Sequence, residues 1–269
     1  MAIKLEKMSE TPHVALVTID RPEKANSLNP EHIYELASVW KELASDREVR
    51  CVVLTGSGER VFCAGMDMRE TVPAARRLVE GKTLDPKTFE GLKNVSIALL
   101  AGFDLKKPLI CAINGHARAG GFDLMLSSEL RVSVPEATFA LEEVALGLYP
   151  TGNATVLLPR QIGWANAHEI LLTAKPFSAE RALEIGLINR LAVREKLLDS
   201  AFALATAISQ NGPLAVRETR FGVRELLGMD LKSAYKRQEE IGRPLRASQD
   251  AKEGQLSFLE NRQPVFKGL

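Results

Sequence analysis

Residues 109–127 read Leu109-Ile-Cys-Ala-Ile-Asn-Gly-His-Ala-Arg-Ala-Gly-Gly-Phe-Asp-Leu-Met-Leu-Ser127, and their reading decides the architecture. The unbroken apolar run Leu109 to Ile113, set off by Lys107-Pro108, has the pattern of a strand buried on both faces. It runs into Asn114-Gly115-His116 and reaches Gly120-Gly121, after which Phe122 to Ser127 reads as a helix packed against the sheet. Upstream the same parts recur. Residues 13–19 are β-branched and stop at Asp20-Arg21-Pro22, which predicts a strand. Asn29 and Pro30 open a helix on which Ile33, Leu36, Ala37, Trp40 and Leu43 share one face. Residues 49–54 predict a second buried strand ending at Thr55-Gly56-Ser57-Gly58, followed by a loop over 61–67.

Residues 68–92 are charged with little apolar period and read as a mobile excursion carrying short helices. A helix is expected over 94–105, strands over 130–134 and 137–141, and helices over 154–161, 165–173 and 178–185, the last stopped by Gly186. Strand and helix alternate to about residue 150 and helices dominate beyond, which is an α/β core with a helical C-terminal part.

Composition excludes several functions. With 35 Lys+Arg against 34 Asp+Glu the 269 residues carry a net charge of +1, which argues against nucleic-acid or anionic-membrane partners. The uncharged stretch 144–159 is broken by Gly147, Pro150, Gly152 and Asn153, so no membrane span is expected. The N-terminal stretch Met1 to Lys7 lacks the apolar run of a signal peptide, and Cys51, Cys63 and Cys111 lie in apolar runs without paired spacing. Buried reduced thiols in a cytoplasmic protein are the expectation.

The chemistry-bearing features are two glycine loops, Cys63-Ala64-Gly65-Met66-Asp67 and Ala119-Gly120-Gly121, each following a buried-type strand. Glycine lets a ligand approach the backbone, and two N–H groups aimed at one point make an oxyanion hole. Taken singly, each loop reads more simply as a tight turn. Standard phosphate motifs fail: Gly115 to Gly120 has P-loop spacing but is followed by Gly121 and Phe122, and Gly56-Ser57-Gly58 lacks a third glycine. His13, His32, His116 and His168 lack metal-ligand spacing. His116 alone falls in a candidate loop, where a turn residue is the simpler reading. Asp123 in the first turn of an apolar helix complements its dipole, and Glu143 reads as a solvated strand end. On periodicity alone a scaffold or binding module stays open.

Taken together, Ile19-Asp-Arg-Pro22, Ala25-Asn-Ser-Leu28, Phe62-Cys-Ala-Gly-Met-Asp67, Ala112-Ile-Asn-Gly115, Ala119-Gly-Gly121, Phe139, Glu143, Leu146-Gly147, Pro150 and Gly186-Leu-Ile188 resemble the enoyl-CoA hydratase/isomerase (crotonase) superfamily across nearly the whole chain. The tail from Lys252 to Lys267 is similar as well. The resemblance implies an α/β, crotonase-like spiral of β-β-α repeats over 1–195 with the active site. Residues 196–269 would form a C-terminal helical trimerisation region, building homotrimers or hexamers of paired trimers.

The resemblance also implies an oxyanion hole from the backbone N–H of Met66 and Gly120, holding the thioester oxygen of an acyl-CoA. CoA contacts fall on Lys24, Ala25, Ala64, Gly65, Met66, Asp67 and Gly120, and an acyl pocket on Phe122, Leu141, Leu148 and Tyr149. No cofactor is implied, coenzyme A being part of the substrate, and no metal. The acid–base pair is carried to Asp123 and Glu143, the first a carboxylate one methylene shorter than the family's glutamate and retracted by roughly 1 Å on an unchanged backbone. The implied reaction is hydration of an enoyl-CoA or its reverse. The alternatives are a double-bond isomerase with Glu143 as proton shuttle, a thioester or C–C hydrolase, and a non-catalytic acyl-CoA binder. Dienoyl-CoA isomerases resemble the Asp-then-Glu pattern, but their second aspartate corresponds to Thr151.

Overall fold

The computed structural model describes residues 3–269, so Met1 and Ala2 of the N-terminal stretch read above lie outside the described residues. Strands β1 (Ile3–Lys7) and β2 (Val14–Ile19) pair antiparallel, and a 3₁₀ turn at Pro22–Lys24 leads to α1 (Pro30–Ser45). As expected, the Asn29 side chain caps α1, accepting from His32 N at 3.0 Å, and Ile33, Leu36, Ala37, Trp40 and Leu43 are buried. Strands β3 (Cys51–Gly56) and β4 (Val61–Cys63) precede α2 (Thr71–Val79), α3 (Pro86–Lys93) and α4 (Val95–Ala98). Then come β5 (Leu109–Ile113), β6 (His116–Arg118) and α5 (Gly120–Leu126), followed by β7 (Leu130–Ser133), β8 (Thr138–Ala140) and a 3₁₀ turn at Glu143–Leu146. The rest is α6 (Ala154–Ile162), α7 (Trp164–Thr173), β9 (Phe177–Ser178), α8 (Ala179–Glu184), β10 (Arg190–Leu191), α9 (Leu197–Ser209), α10 (Pro213–Leu226), α11 (Leu231–Arg246) and α12 (Gln249–Leu259).

Among the described residues two sheets form, one ordered β1-β2-β3-β5-β7-β10 and one ordered β4-β6-β8-β9. The chain visits them alternately: β3, β5 and β7 pair parallel in the first, and β4, β6 and β8 pair parallel in the second. Each round is a long strand, a short strand and helix, which is the winding of a β-β-α spiral. The long strands bury almost every residue, so they carry the continuous apolar runs seen in the sequence. Cys51, Cys63 and Cys111 are buried and free, and burial pushes their thiols up to about 12, about 12 and about 11.

Three expectations change. The stretches read as loops over 61–67 and after Ile113 begin with strands, β4 and β6, of three residues each, too short to show a period. The helix expected over 94–105 stops at Ala98, and Leu100 turns left-handed at φ 54°. Carbonyls that a longer helix would use are taken by side chains: Trp40 Nε1 donates to Ala98 O at 3.0 Å, and Ser127 Oγ and Asn153 Nδ2 each donate to Leu99 O at 2.8 Å. Finally, α9 packs on β3, β5 and β7 and buries Leu197, Ala201 and Ala205, so the cover of the sheet continues past the boundary expected at residue 195. Beyond it, α10 is fastened to the core by Arg220, which pairs with Asp104 at 2.5 Å and Glu129 at 2.9 Å. The tail folds back on α12, whose Asp250 accepts from Lys267 N and Gly268 N. The charged excursion over 68–92 holds α2 and α3.

Candidate active site

Two buried asparagines build the first glycine loop. Asn26 donates to Ser57 O at 2.9 Å and Val61 O at 2.7 Å, while Asn114 accepts from Gly56 N at 3.1 Å and donates to Gly58 O at 2.8 Å. Asn26 ties the β3–β4 turn to the segment before α1 and Asn114 ties it to the end of β5, which is the local reason for the two Asn positions. After β4 the chain crosses to the segment before α1: Ala64 N donates to Ala25 O, Leu28 N to Gly65 O, and Asp67 N to Leu28 O. Gly65 takes φ +87°, a conformation that favours glycine. This ladder takes up the Gly65 carbonyl and the Asp67 N–H, Gly65 N donates to Cys63 Sγ at 3.4 Å, and the Met66 N–H is left without an acceptor among the described residues.

The second loop turns from β6 into α5. Ala119 is held at φ 44°, ψ −121°, a rare conformation for a residue with a Cβ, and its N–H donates to Ala140 O at 3.0 Å. Gly120 is the first residue of α5, so its N–H has no intrahelical partner and finds no other among the described residues. The two loops touch. A Cβ at Gly121 would stand 2.1 Å from Cys63 O, and one at Gly65 would stand 2.8 Å from Gly120 N. One at Gly120 would lie 3.6 Å from Met66 N, so the two unclaimed N–H groups stand side by side. At its other end α5 is held by Arg131, whose buried guanidinium donates to Met125 O, Leu126 O and Ser128 O.

Asp123 lies one turn into α5 and is 3% exposed. Its Oδ1 accepts from Asn153 N and Ala154 N, both at 2.7 Å, at the start of α6. Burial first and the Glu143 charge second push its carboxyl up to about 6. Glu143 opens the 3₁₀ turn after β8. Its Oε2 is buried with no hydrogen-bond partner among the described residues, and burial, with Glu142 next, raises its pKa. Glu142 itself pairs with Arg118 at 2.9 Å, fixing the turn to β6.

The remaining candidates divide. Lys24 and Ala25 sit beside the first loop, Lys24 exposed and without an ion pair among the described residues, Ala25 with its carbonyl bound to Ala64. The Asp67 side chain is used by the fold: Oδ1 accepts from Arg69 N and Glu70 N, and Oδ2 pairs with Arg21 at 2.7 Å. Both carboxylate oxygens thus support the loop. Phe122 and Leu141 are buried, 0% and 1% exposed, with the Phe122 ring edge-on to Phe139 and Phe177. Leu148 and Tyr149 are open to solvent. His116 bonds Thr138, and burial with Arg118 and Arg60 lowers its pKa, so it serves the β6–β8 join. Sequence reasoning missed Gly152, Asn153 and Ala154, which meet Asp123 directly. Asn153 immediately before the helix expected from 154 was the available signal.

The chain matches the enoyl-CoA hydratase/isomerase family over residues 9–269. It is 38% identical over 255 residues to enoyl-CoA hydratase EchA19 of Mycobacterium tuberculosis, covering 95% of this chain and 93% of that protein. It is 34% identical over 271 residues to carnitinyl-CoA dehydratase of Citrobacter koseri, covering 97% and 100%. The crystal structure of enoyl-CoA hydratase from Bacillus anthracis superposes with a TM-score of 0.89 at 30% identity, with 100% of both chains covered. Fold and relatives define an enzyme of the hydratase/isomerase class on the crotonase fold. The chain belongs to the enoyl-CoA hydratase/isomerase family.

Proposed function

We propose that this enzyme adds water to an α,β-unsaturated acyl-CoA, or removes it, with Asp123 as base and Glu143 as acid. The observation that carries the reading is the pair of unclaimed amides, Met66 and Gly120, set with the buried carboxyl of Asp123 and the half-buried one of Glu143, whose charge Asp123 senses. The thioester oxygen would sit on the two N–H groups, where developing negative charge is stabilised; losing one such donor costs about 10²–10³ in rate. Asp123, with two N–H donors on Oδ1, is the better carboxylate and is ionised above about pH 6. It takes a proton from water as the water oxygen bonds to Cβ. The π electrons move to the thioester oxygen as an enolate, which collapses as Cα takes the proton of Glu143. The unpartnered Oε2 of Glu143 favours the neutral, proton-bearing form. Solvent exchange resets both groups.

Lys24 is assigned to a CoA phosphate, and Ala25, Ala64 and Gly65 to the CoA side of the first loop. Exposed apolar residues on the C-terminal helices support a homotrimer or a hexamer of paired trimers as the active form. Relatives named for hydration and for dehydration support a water-adding or water-removing reaction. The test is steady-state hydration of a 2-enoyl-CoA. Asp123→Asn and Glu143→Gln should each lower kcat by about 10²–10⁴ with little change in KM. Wild-type rates in both would overturn the reading.

A further inference from the structure

The start of α6 carries two residues that the chemistry above leaves without a role. Asn153 is 5% exposed, and its carboxamide donates to Leu99 O at 2.8 Å, Ser127 Oγ at 2.7 Å and the backbone oxygen of Asp123 at 3.1 Å. Its own N–H, with that of Ala154, holds Asp123 Oδ1. One residue therefore grips the aspartate at both its main chain and its carboxylate. Gly152, immediately before, is packed on the other side of the same group: a Cβ there would stand 2.1 Å from Oδ2 and 2.3 Å from Cγ.

We infer that Asn153 and Gly152 are positioning residues for Asp123, anchoring Oδ1 on α6 and leaving Oδ2 as the one oxygen offered to water and substrate. The inference rests on the hydratase reading. Its physical basis is that two donors converge on one carboxylate oxygen, so rotation about the Cβ–Cγ bond can only exchange equivalent oxygens. The shortened side chain and the glycine form one unit: the start of α6 reaches the retracted carboxylate only because residue 152 has no Cβ. A glutamate at 123 would push its carboxylate into that backbone. The ionisable group facing Asp123 is Glu143, from the 3₁₀ turn. The α6 start presents amides, and the turn at Leu99 presents a carbonyl.

The experiment compares kcat, KM and the pH profile of kcat/KM for wild type, Asn153→Ala, Asp123→Asn and the double variant. Loosening the donors should lower kcat about 10- to 100-fold with KM nearly unchanged, and move the Asp123 ionisation to higher pH, because those bonds favour the charged form. In the Asp123→Asn background the Asn153 change should add nothing. An unmoved ionisation, or full additivity, would overturn the positioning role. Asp123→Asn at the wild-type rate would instead overturn the hydratase reading beneath it. If Asn153→Ala does not fold, replacing Ala154 by lactic acid removes one donor as an ester with the side chain kept. The same upward move is then expected, and an unmoved profile overturns the proposal.

Discussion

Asp123, the proposed base, carries a cost to the fold. Its folded pKa, about 6, lies above the ordinary carboxylate value of 3.8, so between these limits the native state binds more protons than the unfolded chain. Stability is therefore undiminished below about pH 4, falls as pH rises to about 6, and stays lower above it, by up to about 3 kcal/mol. Asp123→Asn keeps an oxygen for the two α6 amides and removes the charge. It should raise Tm by several degrees at pH 7.5 and by about a third as much at pH 4.5, measurable by thermal unfolding at both pH values. Equal Tm values for variant and wild type at pH 7.5 would show that the buried charge carries no such cost. Both acids were visible in the sequence as misplaced charges, yet only as cap and strand end. Their partners were not visible, because Asn153 and Gly152 reach Asp123 across a thirty-residue gap that no local pattern spans.

The spiral rests on close approaches between elements, and neighbouring glycines of α5 separate fold from function. A Cβ on Gly121 would meet Cys63 O at 2.1 Å and push α5 off β4. Gly121→Ala should lose both stability, by about 1–3 kcal/mol, and activity. At Gly120 the nearest atoms would lie 3.4–3.6 Å away, ordinary contact at a helix start where alanine is favourable. The methyl would nonetheless stand beside Met66 N, where the proposed oxyanion hole would hold the thioester oxygen. Gly120→Ala should thus fold with a Tm near wild type and lose about 10²-fold or more in kcat/KM. An active Gly120→Ala enzyme would contradict the oxyanion assignment. The long buried strands, α1 with its Asn29 cap and the helices α6, α7 and α8 were legible from apolar runs and caps. The short strands β4 and β6, which carry the site loops, were not, since their three residues are defined by pairing with each other and with β8.

At the scale of the molecule, the C-terminal helices leave apolar surface uncovered. Helix α11 buries none of its sixteen residues, and Leu231, Tyr235, Phe258 and Leu259 are exposed by two-thirds or more. Helix α11 packs on α10 with one face, Ile241 lying beside Gly222, and the apolar residues it leaves open imply a partner surface, which is the ground for proposing trimers or hexamers. Light scattering should give three or six times the 29.5 kDa chain mass; a monomer would contradict it. The helical character of this region was readable in the sequence, whereas the place of α9 on the sheet was not, because its small buried residues Ala201 and Ala205 carry no mark of what they face. The near-neutral charge, +1, gave no hint of an anionic ligand, since Lys24 and backbone amides would hold it locally. The central claim is water addition by Asp123 and Glu143. The most direct test is mass analysis of the product formed from a 2-enoyl-CoA in heavy-oxygen water: one heavy oxygen at the β-carbon is predicted with wild type, and incorporation slowed by about 10²–10⁴ with Glu143→Gln. Conversion of a 3-enoyl-CoA to the 2-enoyl ester with no heavy oxygen taken up from either substrate would contradict it and assign the site to double-bond isomerisation.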